Sequence, residues 1–298
     1  MALAGGVPVW LIATFVVLLG LAFGSFLNVC ISRLPRHESI VQPGSRCPKC
    51  RNAIRAWDNV PVLSWMFLRG RCRVCRWRIP WRYPAVEVAT AALFLLCFLQ
   101  FGLTISSAGV AVFCFLMLGL AVMDAETMLL PDAFTWPGIA LGIAWSGLVL
   151  ARGPIPGTPL LLPSRKPGIG IRYHLAGSST FWQLMISGMI NAAICALVAA
   201  LVILAIRWIY RLARGKEGMG LGDAKLLAMI GAWLGADLTL EVLFLGVLSA
   251  ALVGLVGMVR RRRSLEMRLP FGSFLCASAI FVAFAGQPII EWYLKFFP

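Results

Sequence analysis

Uncharged apolar runs long enough to cross a bilayer recur along almost the whole chain, and no other property restricts its folding as much. A span needs about 20 apolar residues to cross roughly 30 Å of hydrocarbon. On that measure the sequence predicts helices near 8–31, 83–101, 106–123, 132–151, 181–209, 220–236, 238–259 and 269–292. The expected fold is all-α, a polytopic membrane bundle of about eight transmembrane helices. Residues 88–123 are free of charge but too long for one crossing, so they divide around Gly102, Ser106 and Ser107. Only Asp237 and Glu241 mark a turn within 220–259. With 60% hydrophobic and 13% charged residues over 298 positions, a soluble globular domain is excluded. The first 32 residues carry no charge, so the basic start of a secretory signal is missing and 1–32 is expected to stay as the first span.

Charge gives these helices a direction. Basic loops stay in the cytosol, and an outward N-terminus leaves 22 of the 27 Lys/Arg there: twelve in 33–82, four in 207–216, Lys225, and five in 260–268. The net charge of +15 follows from that topology and from attraction to anionic lipid, and no nucleic-acid motif accompanies it. The expected organisation is a first span at 1–32, a cytosolic cysteine-bearing segment at 33–82, and a membrane helical bundle at 83–298. Near 153–180 the bundle carries a Pro/Gly-rich outer loop to which the sequence assigns no role. The lipid bilayer is the first expected partner.

Two carboxylates stand out within this frame. Glu217-Gly218-Met219-Gly220-Leu221-Gly222-Asp223-Ala224-Lys225 sets Asp223 behind three glycines where a basic segment turns into an apolar run. Asp124 closes an earlier run in Met123-Asp124-Ala125-Glu126-Thr127-Met128-Leu129-Leu130-Pro131-Asp132. On the expected topology Asp124 ends an out-to-in helix and Asp223 begins an in-to-out helix, so both reach the cytosolic face. Ionisable groups in membrane helices are costly unless used. Two carboxylates in one confined site do not both ionise easily, so one can hold a proton while the other deprotonates water. Each could instead cap a helix or meet a lysine. Gly220 and Gly222 permit close approach of another chain and are candidates for supporting the site or admitting substrate. Asp132, after Pro131, is expected to cap the next helix, and Lys225 either steadies Asp223 or snorkels to phosphates. Glu126 is expected to face water. His37 and His174 are assigned to opposite sides of the membrane and no Gly-x-Ser-x-Gly occurs, so nothing supports a nucleophilic hydrolase.

Of nine cysteines, four form two Cys-x-x-Cys pairs, Cys47/Cys50 and Cys72/Cys75, separated by 21 residues. That spacing lies just beyond the usual range for a tetrathiolate zinc site. Four protein ligands make such a metal structural, because hydrolytic zinc keeps one position open for water. Surrounding basic residues favour thiolates. Four free thiols or two redox pairs are the alternatives.

Several motifs in their order resemble those of the type IV prepilin peptidases, the bifunctional leader peptidase/N-methyltransferases. They are Gly24-Ser25-Phe26-Leu27-Asn28-Val29-Cys30-Ile31-Ser32-Arg33-Leu34-Pro35, the cysteine pairs flanking Trp57-Asp58-Asn59-Val60-Pro61-Val62-Leu63-Ser64-Trp65, Trp81-Arg82-Tyr83-Pro84, Asp124 with Leu130-Pro131-Asp132, Gly220-Leu221-Gly222-Asp223, and Leu269-Pro270-Phe271-Gly272-Ser273-Phe274. The resemblance covers nearly the whole chain. It implies a Gly-x-Gly-Asp membrane aspartic protease of the bacterial inner membrane in which Asp124 and Asp223 activate water. It further implies substrates that are prepilins or secretion-system pseudopilins with a basic leader, and methylation of the new N-terminus by S-adenosylmethionine. Glu87 then either pairs with an arginine such as Arg82 or borders the methyltransferase surface. Two departures from the family pattern stand in this chain. Arg51 and Arg76 follow the cysteine pairs where glycine is frequent, and the 153–180 loop looks inserted. A zinc-bearing membrane scaffold without enzymatic activity and a transporter using paired aspartates are the rival classes; the first leaves the aspartates idle, and the second expects acidic groups nearer mid-membrane.

Overall fold

A computed structural model of the chain describes residues 8–152, 180–215, 220–261 and 269–295. The expected outer loop at 153–180, apart from Thr180, lies outside the described residues, as do Glu217, Gly218 and Met219. The helices are α1 (Val9–Arg33), α2 (Leu63–Phe67), α3 (Arg82–Phe101), α4 (Ile105–Thr127), α5 (Asp132–Arg152), α6 (Phe181–Arg214), α7 (Leu221–Arg261) and α8 (Phe271–Leu294). All except α2 are long and apolar enough to cross a membrane, which makes seven such helices among the described residues.

Eight expected spans and seven long helices are reconciled in α7, which runs for 41 residues, far longer than one crossing requires. It is interrupted at Gly235, whose φ of 79° and ψ of 179° are not helical. Asp237 and Glu241, expected to mark a turn, lie within helix, and the interruption comes at the glycine because that backbone conformation excludes a side chain. Backbone acceptors near the break are satisfied locally: Ser146 Oγ donates to the Ala232 carbonyl at 2.9 Å and Thr239 Oγ1 to the Gly235 carbonyl at 2.5 Å.

The chain divides into two compact units, Met1–Gly119 and Leu120–Pro298. In the first unit α1 packs on α3 through small residues. A Cβ added at Gly20 would fall 2.5 Å from the Ala91 Cα, and one at Gly24 would fall 2.6 Å from the Glu87 Cα, so the two backbones touch. Asn28 Nδ2 fastens the same crossing by donating to the Tyr83 carbonyl at 2.9 Å. Arg33 ends α1 and folds the following loop back by donating to the carbonyls of Ser39, Pro43 and Gly44.

In the second unit α6 and α7 pack as closely, with Ala196, Ala228 and Ala232 in a common core. Trp233 is anchored by its indole N–H, which donates to the Gly138 carbonyl on α5 at 2.8 Å. A capping box starts α6, with Thr180 and Gln183 exchanging side-chain and backbone bonds. It ends at Gly215 in the left-handed conformation, several residues beyond the expected limit of 209, because Arg207, Arg211 and Arg214 continue the helix out of the apolar run.

Candidate active site

Asp124 stands one turn from the end of α4 and is 5% exposed. The start of α8 meets it. The first-turn N–H of Ser273 donates to Asp124 Oδ2 at 2.6 Å, where a helix N-terminus favours negative charge. Ser273 Oγ lies 3.0 Å from the same carboxylate oxygen and 2.8 Å from the Ala121 carbonyl, and its single proton serves one of these acceptors at a time. A Cβ at Gly272 would fall 3.0 Å from the Asp124 Cγ, so a larger residue there would press on the carboxylate.

Asp223 lies in the first turn of α7, half-buried, with Oδ2 accepting the Gly220 N–H at 3.2 Å. Asp124 is close enough to act electrostatically on it. Leu130 explains how the two are gathered. It follows α4 in a short connection that begins with Met128 at positive φ, and its side chain lies between two glycines. A Cβ at Gly222 would meet it at 3.3 Å and one at Gly272 at 3.2 Å. Leu130 thus wedges the starts of α7 and α8 together beside the end of α4.

Lys225 does not turn to Asp223. Its Nζ is 2.6 Å from Asp132 Oδ1 and 5.9 Å from the centre of the Trp136 ring, which ties the start of α7 to the start of α5. Asp132 is the first residue of α5, while the Pro131 carbonyl receives the N–H groups of Phe134 and Thr135. Both partners are partly exposed, so the pair contributes about 1 kcal/mol or less. Glu126 is exposed.

The four cysteines converge as their spacing predicts. The Sγ atoms of Cys47, Cys50, Cys72 and Cys75 all lie within 4.8 Å of one another, with Cys47 and Cys75 at 3.8 Å. Four sulfurs about 2.3 Å from one zinc ion would be about 3.8 Å apart along each tetrahedral edge, so the donor set fits that metal. Each pair is held by the same turn: Arg51 N–H donates to the Cys47 carbonyl and Arg76 N–H to the Cys72 carbonyl, while the Cys47 and Cys72 N–H groups close back on Asn52 and Trp77. N–H groups of Cys75 and then Val74 pull the Cys72 thiol down to about 7, which favours a thiolate at neutral pH. Asp58 binds Arg73 through two contacts of 2.8 and 2.6 Å, and the guanidinium holds its carboxyl below the usual range.

Both departures from glycine fall on strained positions. Arg51 and Arg76 have φ of 57° and 58°, where a side chain costs about 1 kcal/mol or more. Arg51→Gly and Arg76→Gly are each expected to strengthen the segment by up to about 1 kcal/mol, the gain being reduced by glycine's extra freedom in the unfolded chain. Slower chelator-driven unfolding would register this.

Glu87, the candidate for a cofactor surface, is buried in α3. Its Oε2 accepts the Val62 N–H at 2.7 Å, and its carboxylate also meets the Ser25 side chain. Ser273 and Leu130 carried motifs in the sequence but no role. Their signal was Pro-Phe-Gly-Ser at a helix start and Leu-Pro-Asp at a turn; what they touch depends on helices distant in sequence. Cys276, fully buried one turn beyond Ser273, lies within electrostatic range of both aspartates.

Comparison with known proteins shows which family the chain resembles. Residues 18–101 match the Bacterial Peptidase A24 N-terminal domain, and residues 166–255 match the Type IV leader peptidase family. Asp223 falls inside the second match and Asp124 between the two. A Burkholderia pseudomallei protein named prepilin leader peptidase/N-methyltransferase is 34% identical, over 97% of this chain and 90% of its own length. Proteins of the same name from Aeromonas salmonicida and Pseudomonas putida are 32% and 33% identical, covering 98% and 94% of this chain and 97% and 90% of their own lengths. No solved structure matches the chain. With 34% identity to such a relative over 97% of its length, the chain belongs to the type IV leader peptidase family.

Proposed function

We propose that the chain is a membrane aspartic endopeptidase that removes the basic leader of type IV prepilins or secretion-system pseudopilins. One observation carries the reading: Asp124 and Asp223, remote in sequence, lie within electrostatic range of each other around a single leucine at the ends of two membrane helices. An unprotonated aspartate takes a proton from water while its protonated partner donates to the scissile carbonyl, so the water adds directly and no acyl-enzyme forms. Ser273 suits both states of Asp124. A protonated Oδ2 can donate to the Ser273 hydroxyl, which donates onward to the Ala121 carbonyl; after ionisation the Ser273 N–H still holds the oxygen. Ser273→Ala keeps the N–H and is expected to lower kcat by about ten- to a hundredfold, the worth of one hydrogen bond to a charged group. A transporter would need its acidic groups deeper in the spans.

The orientation in this reading has the N-terminus outside and both aspartates at the cytosolic face of the bacterial inner membrane. A precursor keeps its apolar stem in the bilayer while its basic leader reaches the site from the cytosol. The bundle at 83–298 carries the peptidase, and 33–82, ordered by zinc on Cys47, Cys50, Cys72 and Cys75, serves methylation. S-adenosylmethionine, when bound, supplies an electrophilic methyl group for the new amine. Glu87, engaged with Val62 and Ser25, holds that segment to the helices. The test is incubation of a prepilin-like precursor with purified protein and methyl donor, followed by mass spectrometry of the product N-terminus. Leader loss plus the mass of one methyl group is expected; an intact precursor in the presence of folded, zinc-bearing protein overturns the reading.

A further inference from the structure

A group of large apolar side chains on the cysteine segment faces outward, and a buried carboxylate determines how deep the group lies. Leu63, Met66 and Phe67, spaced three and four apart, share one side of α2 and are exposed, Phe67 to 84%. Trp57, 66% exposed, adjoins them, because Ser64 Oγ donates to its carbonyl at 3.1 Å. The opposite side of α2 is anchored inward, where Trp65 packs on Gly70 and donates to the Ile79 carbonyl at 3.2 Å. The outward face is therefore a fixed surface.

Its depth follows from Glu87. That residue is the sixth of α3, roughly 7.5 Å along the axis from Arg82 at 1.5 Å per residue, and its carboxylate takes the N–H of Val62 immediately before α2. Val62 has a φ of 59°, a conformation a β-branched residue rarely adopts, and the buried Glu87 bond holds it there. So α2 starts beside the second turn of a membrane span and not out in water. Basic groups border it: the Arg55 guanidinium lies 5.6 Å from the centre of the Trp57 ring, and Arg69 is exposed two residues after Phe67.

From this we infer that α2 is an interfacial wedge, with Leu63, Met66, Phe67 and Trp57 among the upper acyl chains of the adjoining leaflet and Arg55 and Arg69 at anionic phospholipid headgroups. Interfacial helices bury their apolar face about 5–10 Å into that boundary, comparable to the axial distance from Arg82, at the start of α3, to Glu87. Aromatic rings with adjacent arginines suit the same layer. The inference depends on α3 being a span and is independent of the catalytic assignment.

The experiment uses full-length protein carrying Phe67→p-benzoylphenylalanine in vesicles of phosphatidylcholine and phosphatidylglycerol. After illumination, mass spectrometry is expected to find phospholipid adducts several-fold more often at position 67 than at Val41, an exposed control outside α2. Comparable yields at the two positions would overturn the wedge, as would cross-links going instead to a second copy or to an added prepilin-like peptide. Trp57→Phe provides an independent measurement: brominated acyl chains should quench less of the protein's fluorescence in the variant, and unchanged quenching counts against the proposal. Glu87→Ala, with zinc retained, should lower the lipid adduct at 67; an undiminished yield would remove Glu87 as the depth anchor.

Discussion

Asp124→Asn and Asp223→Asn are each expected to lower the rate of leader cleavage by at least about a thousandfold, since each keeps the side chain's size and removes one proton-transfer group of a two-carboxylate mechanism. The folded state should survive both changes. Asparagine at 124 still accepts the Ser273 N–H through its amide oxygen, and asparagine at 223 still accepts that of Gly220. Asp132→Asn removes only a partly exposed pair with Lys225 and should cost little activity. Single-turnover cleavage of a precursor by purified variants checks all three. Substantial cleavage by either Asn variant would withdraw that aspartate from the mechanism.

Loss of the metal ligands should have the other large effect. Purified protein is expected to carry about one zinc per chain, and Cys47→Ser or Cys72→Ser should abolish it, because a structural site missing one thiolate loses much of a binding energy of about 10–16 kcal/mol. Full metal content in both variants would mean that the ligands lie elsewhere. The consequence for activity should divide between the two reactions. Given a synthetic, already cleaved N-terminus and labelled methyl donor, Asp124→Asn should still methylate, whereas Cys72→Ser should lose methylation at least as much as cleavage. Label transfer lost in the aspartate variant and retained in the cysteine variant would overturn the division of labour between 33–82 and the bundle.

The long helices were legible because lipid leaves one solution for an apolar run of that length, and observed limits such as Arg82–Phe101 and Ile105–Thr127 stay close to those expected. The break in α7 was less so. Charge pointed to 237–241, while the backbone parts at Gly235, where only local conformation decides. α2 escaped notice because five residues are too few for a periodic signal. At the site, residue chemistry made the aspartates and cysteines visible. The Ser273 contact was hidden because half of it is a backbone N–H, which every residue but proline has, and its direction depends on where α8 begins. Arg51 and Arg76 stood out in the sequence only as departures from a frequent glycine; that both adopt the left-handed conformation is set by the closure of each turn on its cysteine carbonyl.

The bond between Ser273 and Asp124 also bears on how the enzyme comes into being. Asp124 is synthesised and inserted well before the helix whose first turn steadies it, and Gly272 and Ser273 follow every other part of the dyad in the chain. On the proposed mechanism, a ribosome that has finished α7 has made both aspartates but not the helix start that steadies Asp124. Nascent protein is then expected to leave precursors uncut until α8 has entered the bilayer. A chain truncated before Phe271 should insert, bind zinc and cut nothing, and supplying α8 as a separate polypeptide should restore cleavage.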